Sequence, residues 1–592
     1  MTTSGDAAPT TGRADPVGRV LLALAAVAVA FAAADTYVVV LALPDMMASS
    51  GLSAEDLQQA APIISGFLLG YVAVLPLIGR LADLRGRLPV LVGSLVVFAL
   101  GSLVTAAAYD LPSVVTGRVL QGLGGGGLLP ATLALVADLY PPHRRGVPLG
   151  VVGAIQELGN VVGPLYGAVV LAFGDWRDIF WLNLAVGLVL AAVIRRLGAG
   201  ARGVPAGRPD LVGLALVLLA LVAVLLTMWQ PGRLTSDVTL GLGFVAVVGE
   251  SRWLTPVALA AYVLLLAFLL RTLTAARPLL DVRSWRPVLG QVDVPGTVLL
   301  AIALSGIILA FSTADPEVQV FSPAGPWLLL VSAVALAGFW WRNRSAQHPL
   351  IPLGTLSATP AWGAMVVSFF VGSALIAALV DIPIFARVTV HTDDQLAAAL
   401  VLVRFLVGLP VGAFAGGWLT HRMPAGVVTA IGMAASATGF GWMSQWGLES
   451  LLSPWSTVPL VLGGLGVGLA MAPTNAALLA ATESAVHGVA SALLIVSRTV
   501  GKLVGVSVLT TIGLRAFYAT QGDLPSPREV CEGGSSRCSE YNLILREAGL
   551  VQLQTIFLGA AVCCVIAGAV ALVVYRNAAT REVHTSALEG GF

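Results

Sequence analysis

Charged residues are scarce in this sequence. Asp, Glu, Lys and Arg make up 11% of the 592 residues, whereas a soluble globular domain carries about 25%. Hydrophobic residues make up 57%, and the mean hydropathy is +0.91. A chain with so few charges cannot cover a water-exposed surface, so its composition excludes a soluble globular protein. The formal net charge of +1 provides no basic surface, so we expect no nucleic-acid partner.

Lysine is almost absent, and cysteine is rare. The only lysine, Lys502, lies in TVGKLVG, which lacks the upstream glycine and the hydroxyl neighbour of the ATP-binding pattern G-x-x-x-x-G-K-[ST]. This excludes an ATP-driven pump. The four cysteines are too few and too badly placed for a metal site, so we expect no metal. Cys531 and Cys538 lie in a polar segment and could pair in an oxidising compartment, and their pairing stays open.

Catalytic loops are also missing. A membrane enzyme needs paired carboxylates, or a nucleophile with its base, on a polar loop, and no loop of this sequence offers either set. We therefore expect no enzymatic activity. A channel stays compatible with the composition alone.

Long apolar runs, in contrast, recur from residue 20 to residue 575. Runs of 18 or more residues are long enough to cross a hydrocarbon core of about 30 Å as helices, and lipid requires each segment to satisfy its own backbone groups. The sequence therefore predicts an all-α polytopic membrane protein with sixteen transmembrane helices, or fourteen as the alternative. The predicted helices lie near residues 19–43, 60–80, 88–108, 113–138, 147–172, 177–197, 209–230, 254–271, 293–313, 325–342, 361–386, 395–420, 424–446, 457–481, 489–517 and 550–576.

Basic residues orient these helices through the positive-inside rule. With a cytoplasmic N-terminus, 20 of the 32 basic residues fall in cytoplasmic segments, eight fall outside and four lie within helices. We therefore expect a cell-membrane protein with both termini in the cytoplasm. Two middle segments, DLVGLALVLLALVAVLL from residue 210 and DVPGTVLLAIALSGIIL from residue 293, resemble each other. This similarity predicts a duplicated helix pair among the four middle helices.

A run of glycines, GLGGGG at 122–127, fits the dinucleotide-binding spacing G-x-G-x-x-G through Gly122, Gly124 and Gly127. No strand precedes it, and no acidic residue follows at the distance that would bind a ribose. The run lies inside the fourth predicted helix, where glycines allow a neighbouring backbone to approach closely. We therefore interpret these glycines as helix-packing residues.

Six ionisable side chains lie at bilayer depth: Asp35, Arg118, Glu157, Arg404, Arg498 and Lys502. Inserting such a charged side chain at the centre of a membrane helix costs about 2.5–3.5 kcal/mol on insertion scales. A functional role is therefore the default interpretation. We expect Asp35 and Glu157 to bind a coupled proton. Arg498 or Lys502 would pair with one of them in one access state, because a neighbouring cation changes the proton affinity of a carboxylate.

Other interpretations of these charges stay open. Asp35 and Glu157 could be structural packing acids, and Lys502 could simply neutralise Glu157. We interpret Arg404 as a charge that lines the cavity. Asp381, near the outer end of its helix, is either a solvated cap or a buried acid.

Four segments resemble motifs of the major facilitator superfamily and of its fourteen-helix drug:proton antiporter family. GRVLQGLG from residue 117 resembles R-x-x-Q-G-x-G of the fourth helix, and GNVVGPLYGA at 159–168 resembles G-x-x-x-G-P-x-x-G-G of the fifth, with Ala168 for the last glycine. GRLADLRGRL at 79–88 resembles the loop G-x-x-x-D-R-x-G-R-R, with Leu84 in place of an arginine. DTYVVVLALP at 35–44 resembles D-x-T-V-V-N-V-A-L-P, with Tyr37 and Val40 in place of Thr and Asn.

This resemblance implies a major facilitator fold, with two six-helix bundles and inserted linker helices, and proton-driven antiport without a cofactor. It adds Arg118 to the proton-coupling residues. It also implies gating residues: Asp83, Arg85, Arg87, Gly159, Gly163, Pro164 and Gly167. The charged residues of this set would form a cytoplasmic latch, unless they are an ordinary positive-inside loop.

Further segments resemble the triacylglyceride-exporting members of that family: QELGNVVGPLYG, DWRDIFWLN, LVGLPVGAFAGGWL and HGVASALLIVSRTVGKLVGV. The resemblance implies export of hydrophobic or amphipathic compounds such as triacylglycerides. It also implies an extracytoplasmic lipid-carrying lipoprotein as a partner, and we expect a monomer. The alternative is a multidrug:proton antiporter with broad specificity and no dedicated lipid.

The last helix is predicted to leave the membrane. Glu540–Tyr575 contains no proline and would span roughly 54 Å as a helix, well beyond the core. We expect it to project outside under a loop closed by Cys531–Cys538, although a loop without a role stays open. The predicted organisation is a cytoplasmic tail at 1–18, an N-terminal bundle at 19–200, linker helices at 201–350, a C-terminal bundle at 351–577 with an extension at 518–549, and a tail at 578–592.

Overall fold

The structure is a computed structural model, and it describes most of the chain. The described residues are 16–52, 57–141, 144–201, 210–275, 278, 283, 291, 293–312, 322–352, 354, 356–390, 395–483, 486–521 and 539–578.

Sixteen long helices run through the described residues, and each coincides with one of the predicted apolar segments. They are α1 Pro16–Ser49, α2 Leu57–Arg85, α3 Arg87–Ala106, α4 Leu111–Leu139, α5 Gly146–Phe173, α6 Trp176–Ala201, α7 Leu211–Trp229, α8 Pro256–Thr274, α9 Val294–Ser312, α10 Gly325–Ser345, α11 Thr359–Val388, α12 Gln395–Leu419, α13 Ala425–Met443, α14 Thr457–Ala480, α15 His487–Gln521 and α16 Ser539–Val574.

Fourteen of these helices are long and apolar enough to cross a membrane by length and composition. The other two are α5, of which Gly146–Gln156 counts as a shorter apolar helix, and α10, which carries Arg342 and Arg344 in its last turn. At 28 and 21 residues, both have the length that a span of about 20 residues requires. The all-helical membrane fold is therefore confirmed, with fourteen spans by the stricter criterion.

The chain divides into two compact units, and the division cuts through three helices. Unit 1 consists of Met1–Val29, Pro130–Leu158 and Gly354–Phe592, and unit 2 consists of Ala30–Leu129 and Gly159–Leu353. The helices α1, α4 and α5 thus contribute one part to each unit. The predicted boundaries at residues 200 and 350 stay predictions.

Unit 1 is built around α11 to α16. Helix α14 packs between α12 and α13, and α11 packs on α15 and α16. The first turns of α5 also belong to this unit. A methyl group at Gly150 would lie 2.7 Å from the carbonyl oxygen of Ala413, and one at Gly146 would be equally close to the carbonyl oxygen of Gly417. The backbones of α5 and α12 therefore meet through small residues, as closely packed membrane helices do.

Unit 2 contains two helix hairpins, α7–α8 and α9–α10, besides the core that α2, α3, α4 and α6 form. The start of each hairpin carries a buried aspartate. Asp210 accepts hydrogen bonds from the backbone N–H of Gly213 at 3.0 Å and from Arg271 of α8 at 3.1 Å. Asp293 accepts a hydrogen bond from Arg342 of α10 at 3.0 Å.

The two hairpins share this geometry in detail. The carboxylates are 3% and 1% exposed, and each lies against a glycine three residues further on, where a side chain would collide with the carboxylate. The pattern Asp-x-x-Gly at the first helix and Arg near the end of the second occurs in both. This common geometry supports the predicted duplication. Helix α9 packs on α2, which attaches the second hairpin to the rest of unit 2.

Candidate functional site

A buried ion pair lies at the centre of unit 2. Arg118 of α4 donates from Nη1 to Oδ2 of Asp35 of α1 at 2.6 Å, and the two side chains are 1% and 0% exposed. Both were selected from the sequence because ionisable groups at bilayer depth need a reason to be there. The structure shows that they reach each other across 83 residues of sequence.

Two amides complete the shell around the Asp35 carboxylate. Asn183 of α6 donates from Nδ2 to Oδ1 of Asp35, and Gln121 donates from Nε2 to the same oxygen at 3.5 Å. The side chain of Asn183 is fully buried, as is that of Gln121. Buried carboxylates need such donors, because an ionised group without partners is strongly disfavoured in an apolar interior.

Arg118 has further partners besides the carboxylate. Its Nη1 also donates to Oε1 of Gln121 at 2.9 Å, and its Nε donates to the carbonyl oxygen of Ile63 on α2 at 3.2 Å. The guanidinium lies over the ring of Phe67, 4.6 Å from the centroid, which adds a cation–π contact. A planar group with several fixed donors fits this set of acceptors, and a lysine ammonium would not reach all of them.

The network extends to two more helices. Gln121 donates from Nε2 to the hydroxyl of Ser102 on α3 at 2.8 Å, and the Thr105 hydroxyl lies 3.4 Å from Oε1 of Gln121. On the other side, the Tyr166 hydroxyl of α5 donates to Oδ1 of Asn183 at 3.0 Å. Helices α1 to α6 thus all contribute to one polar network inside an apolar unit.

The network holds one carboxylate, Asp35, against one guanidinium, Arg118. The two amides beside them, Gln121 and Asn183, are uncharged and donate to the carboxylate. Breaking a buried ion pair by removing one partner costs about 3–5 kcal/mol, because it leaves an uncompensated charge in the interior. A rearrangement that separates Asp35 from Arg118 therefore needs another partner for each of them.

The glycines of α4 place this network close to its neighbours. A side chain at Gly122 would collide with the carbonyl oxygen of Phe67 on α2, and one at Gly124 would collide with the backbone of Phe98 on α3. The glycine run therefore brings α4 against two helices at once, which confirms the packing interpretation. Of the three glycines that fit the nucleotide spacing, Gly122 lies against α2, and Gly124 and Gly127 lie against α3.

The glycines of α5 pack on α1 in the same way. Side chains at Gly159, Gly163 and Gly167 would collide, in that order, with the carbonyl oxygens of Ala30 and Ala34 and with the side chain of Val38. The four-residue repeat on both helices shows that α1 and α5 run in parallel here with one constant register. Asp35 directly follows one of these contacts, so the position of α5 affects the position of the carboxylate.

The charged junction between α2 and α3 also contains an ion pair. Arg87 donates from Nη2 to Oδ1 of Asp83 at 3.1 Å, with the aspartate side chain 1% exposed, and from Nη1 to the carbonyl oxygen of Ala82 at 2.9 Å. Gly86, which separates the two helices, has a φ of 97°, a conformation that favours glycine. The structure brings Asp83 and Arg87 together, and Arg85 is adjacent in the chain.

The basic residues of the second half lie in unit 1. Arg498 of α15 is 8% exposed and donates from Nε to the hydroxyl of Ser368 on α11 at 3.3 Å. Lys502 is half-buried one turn further along α15, where Gly372 of α11 contacts the backbone of both. Arg404 is half-buried and donates to the hydroxyl of Thr457 at 3.3 Å.

Asp381 of α11 is 3% exposed, so it is a buried acid and not a solvated cap. It lies seven residues before the end of its helix at Val388. The interpretation as a cap assumed that closeness to a helix end implies contact with water, and the packing of α11 against α15 and α16 prevents this.

Several predicted site residues lie outside the described part of the structure. These are the side chains of Glu157 and Pro164, although the backbone of both belongs to α5, and the whole of Cys531 and Cys538. The proton-coupling role of Glu157 and the disulfide therefore stay predictions.

Sequence reasoning missed several uncharged members of the network, among them Asn183 and Tyr166. Each is a single polar residue inside an apolar run, FWLNLAV for Asn183 and GPLYGAV for Tyr166. An amide at bilayer depth requires a hydrogen-bond partner just as a charge does, so the uncharged polar residues of each span were the available signal.

These observations define a polytopic helical membrane protein whose first helices enclose a buried ion pair. The chain belongs to the Major Facilitator Superfamily, whose family model matches residues 25–506. It is a multi-pass membrane transporter of that superfamily.

Relatives and solved structures agree with this assignment. A triacylglyceride transporter of Mycolicibacterium smegmatis is 33% identical over 575 residues, covering 94% of this chain and 87% of the relative. A triacylglyceride transporter of Mycobacterium tuberculosis is 32% identical over 571 residues, covering 94% of each chain. The human organic anion transporter MFSD10 (TETRAN) has a similar fold, with a TM-score of 0.50 at 14% identity over 93% of this chain and all of that one.

Proposed function

We propose that this chain is a proton-coupled secondary transporter that exports hydrophobic or amphipathic lipid, of the triacylglyceride class, across the cytoplasmic membrane by alternating access. The observation that carries the proton coupling is the fully buried Asp35–Arg118 pair with its two amide donors. The lipid assignment is supported by the relatives named triacylglyceride transporters and by the scarcity of fixed polar groups that sugars or amino acids would need.

In this proposal, Asp35 binds the proton, and the hydrogen-bond partners of Arg118 change as a result. A neutral Asp35 no longer compensates the guanidinium charge, so the state in which Arg118 has another acceptor becomes favoured. Gln121 and the carbonyl oxygen of Ile63 already accept hydrogen bonds from Arg118, and they could hold it during this exchange. Glu157 is the second proton site, with Arg498 or Lys502 as its cationic partner in one access state.

Two further sets of residues would act as gates. The Asp83–Arg87 pair, with Arg85 beside it, would latch the cytoplasmic end of unit 2 in one access state. The glycines of α5, with Pro164, would let α1 and α5 move as one body, because the two backbones are in close contact at Gly159 and Gly163.

The projecting end of α16 would serve cargo release. The helix has 36 residues, against about 20 that a span requires. We propose that it extends on the outer side with both chain termini in the cytoplasm, that Cys531–Cys538 closes its loop, and that a lipid-carrying lipoprotein receives cargo there.

Transport by purified protein in lipid vesicles tests the proposal. Vesicles with an imposed proton gradient and a fluorescent triacylglyceride should show uphill transport that a protonophore abolishes at constant ATP. Asp35→Asn and Glu157→Gln should each lose uphill transport. Asp175→Asn is the matched control, because Asp175 pairs with Arg177 at 3.3 Å but its side chain is 55% exposed. Uphill transport at the wild-type rate in both variants would refute the proton assignment.

The second candidate is a multidrug:proton antiporter, which the motifs of the drug:proton antiporter family favour. The lipid content of the envelope of a deletion strain separates the two functions better than drug susceptibility, because a weakened envelope also admits drugs. Lipid retention in the inner membrane supports the lipid exporter. An unchanged lipid profile with reduced efflux of purified drug in vesicles supports the drug antiporter.

A further inference from the structure

The connection between α7 and α8 is much longer than its geometry requires. The two helices pack against each other as an antiparallel hairpin, and such neighbours are usually joined by about 2–8 residues. Here α7 ends at Trp229 and α8 begins at Pro256, so the segment from Gln230 to Thr255 joins them. We call residues 230–255 the α7–α8 arm. Loops of this length in compact proteins usually have a function.

The arm is folded, and its own hydrogen bonds fold it. Asp237 accepts from the backbone N–H groups of Thr239 and Leu240 at 2.8 and 2.9 Å, which closes a tight turn. The backbone N–H of Val247 donates to the carbonyl oxygen of Leu254 at 2.9 Å, which joins the two ends of the second half. Short helical turns at Gly232–Thr235, Gly241–Phe244 and Arg252–Leu254 complete the arm.

Many apolar side chains of the arm are exposed. Six of them, between 57% and 88% exposed, lie within eleven consecutive residues: Val238, Leu240, Leu242, Val245, Val247 and Val248. A contiguous exposed apolar surface on a folded segment indicates a site that meets a membrane or a partner. The arm carries Arg233, Asp237, Glu250 and Arg252, so its formal charge is zero and its surface offers no electrostatic preference.

Aromatic and arginine side chains anchor the base of the arm. Arg252 donates to the carbonyl oxygen of Met228 at 3.0 Å and lies over the ring of Tyr109, 4.2 Å from the centroid. Trp253 donates from Nε1 to the Tyr109 hydroxyl at 3.1 Å. Tyr109 follows α3, so the arm is fixed to the same end of unit 2 at which α3 and α7 end. Tyrosine and tryptophan are enriched at the level of the lipid headgroups.

The exposed face continues onto the two helices that enter the membrane. Trp229 at the end of α7 is 66% exposed, Leu254 at the end of the arm is 42% exposed, and Leu259 in the first turn of α8 is 43% exposed. Lipid must cover those helices along their length, since both qualify as spans. The outward apolar residues of the arm therefore extend a surface that already contacts acyl chains.

We propose that the α7–α8 arm is a lipid-binding element that lies in the boundary between headgroups and acyl chains, on the membrane surface where α3 and α7 end. Its ligand is the lipid of that leaflet, held by the outward valines and leucines. Binding by apolar burial, without a net charge, predicts equal binding to neutral and anionic membranes. This inference does not depend on the cargo that the transporter carries.

Spin-label accessibility in nanodiscs tests the inference. Single cysteines at Leu242 and Val247, in a chain whose four native cysteines are replaced, would carry a nitroxide, and Glu250→Cys is the matched control on the same arm. In discs of a neutral phosphatidylcholine, the ratio of accessibility to oxygen over accessibility to a water-soluble nickel chelate should be several-fold higher at 242 and 247 than at 250. The same ratios are expected in discs that contain anionic lipid.

Two results would overturn the inference. Equal ratios at all three positions mean that the apolar face is in water. Protection of 242 and 247 from both reagents means that protein covers the face, as in a second copy or another segment of this chain. A further variant supports the inference in a different way. With Leu242→Asp, the ratio measured from the label at 247 is expected to fall, because a charge on the apolar face opposes its burial in lipid, while the midpoint of thermal unfolding stays unchanged.

Discussion

Arg118 and Asp35 meet with Nη1 and Oδ2 2.6 Å apart, and both side chains are buried in the interior of the protein. The pair joins α4 to α1, and the amides of Asn183 and Gln121 surround it. An exposed pair would contribute about 0–1 kcal/mol. A buried pair is different because neither partner can lose the other without leaving an uncompensated charge in an apolar interior. The pair and its amides thereby join α1, α4 and α6 at one point.

Loss of the arginine should therefore abolish coupled transport. Arg118→Gln leaves Asp35 without its counter-charge, and removing one partner of a buried pair costs about 3–5 kcal/mol. Arg118→Lys keeps the charge but cannot reach Asp35, Gln121 and the Ile63 carbonyl at once, so transport should fall strongly while folding is better preserved. Arg177→Gln, at an exposed pair, should behave as wild type. Transport assays with thermal unfolding in detergent check this, and a fully active Arg118→Gln contradicts the coupling role.

The amide of Asn183 should matter nearly as much as the charges. Asn183→Leu removes the donor to Asp35, and hydrogen bonds to charged groups contribute about 1.5–3 kcal/mol. A loss of about tenfold or more in coupled transport is expected, since about 1.4 kcal/mol corresponds to a factor of ten. Asn343→Leu is a control in α10, where the amide bonds the Ile351 backbone. Rates of proton-driven transport measured for both variants check this prediction. Equal losses in the two variants would mean a general folding defect and not a specific role of Asn183.

Much of this fold could be predicted from the sequence, and the reason is physical. A helix that crosses lipid must be apolar along its whole length, so all sixteen long helices of the described chain are visible as runs. The end of α15 at Gln521 was not predicted, because polar residues continue the helix past the apolar run that ends near 517.

The site was predictable only in part. Asp35 and Arg118 were identified as unusual charges, but their mutual contact was not, because nothing in the sequence says which helices are neighbours. Asp35 was expected to alternate with cations of the second half. Asn183 lies 148 residues from Asp35 and is uncharged, so a search restricted to ionisable groups passed over it.

The contact between α1 and α5 predicts a sharp size limit at Gly163. Gly163→Ala would bring a methyl group against the carbonyl oxygen of Ala34, and overpacking of this kind costs about 1–3 kcal/mol. Transport should fall, since Asp35 directly follows Ala34. Gly93→Ala in α3 is the matched control, because a methyl group there meets nothing within 4 Å. The interpretation is wrong if Gly163→Ala and Gly93→Ala have the same transport rate and the same midpoint of thermal unfolding.

The shared geometry of the two hairpins predicts that equivalent substitutions in them have equivalent local effects. Asp210→Ala and Asp293→Ala each remove the acceptor for an arginine and, for Asp210, a helix cap, which together are expected to cost about 1–3 kcal/mol locally. Each should increase amide exchange at the first turn of its own hairpin, α7 or α9, and leave the other hairpin unchanged. Hydrogen exchange with mass spectrometry checks this. An increase in both hairpins from either single variant would show that the two are not independent modules.

The turn that folds the α7–α8 arm should open in acid. Hydrogen bonds from the backbone N–H of Leu240, and from the hydroxyl and backbone N–H of Thr239, lower the pKa of Asp237 below its ordinary value of 3.8. A lowered pKa means that the folded turn favours the ionised carboxylate, so its stabilisation is fully present above pH 3.8 and is lost as the pH falls through the lower, folded-state pKa. Protection of the Leu240 amide, corrected for intrinsic exchange, should therefore be constant from pH 7 to pH 5 and decrease below pH 4. Asp237→Asn should remove this pH dependence, because the amide does not titrate, and a persistent acid transition in that variant would assign it to another group.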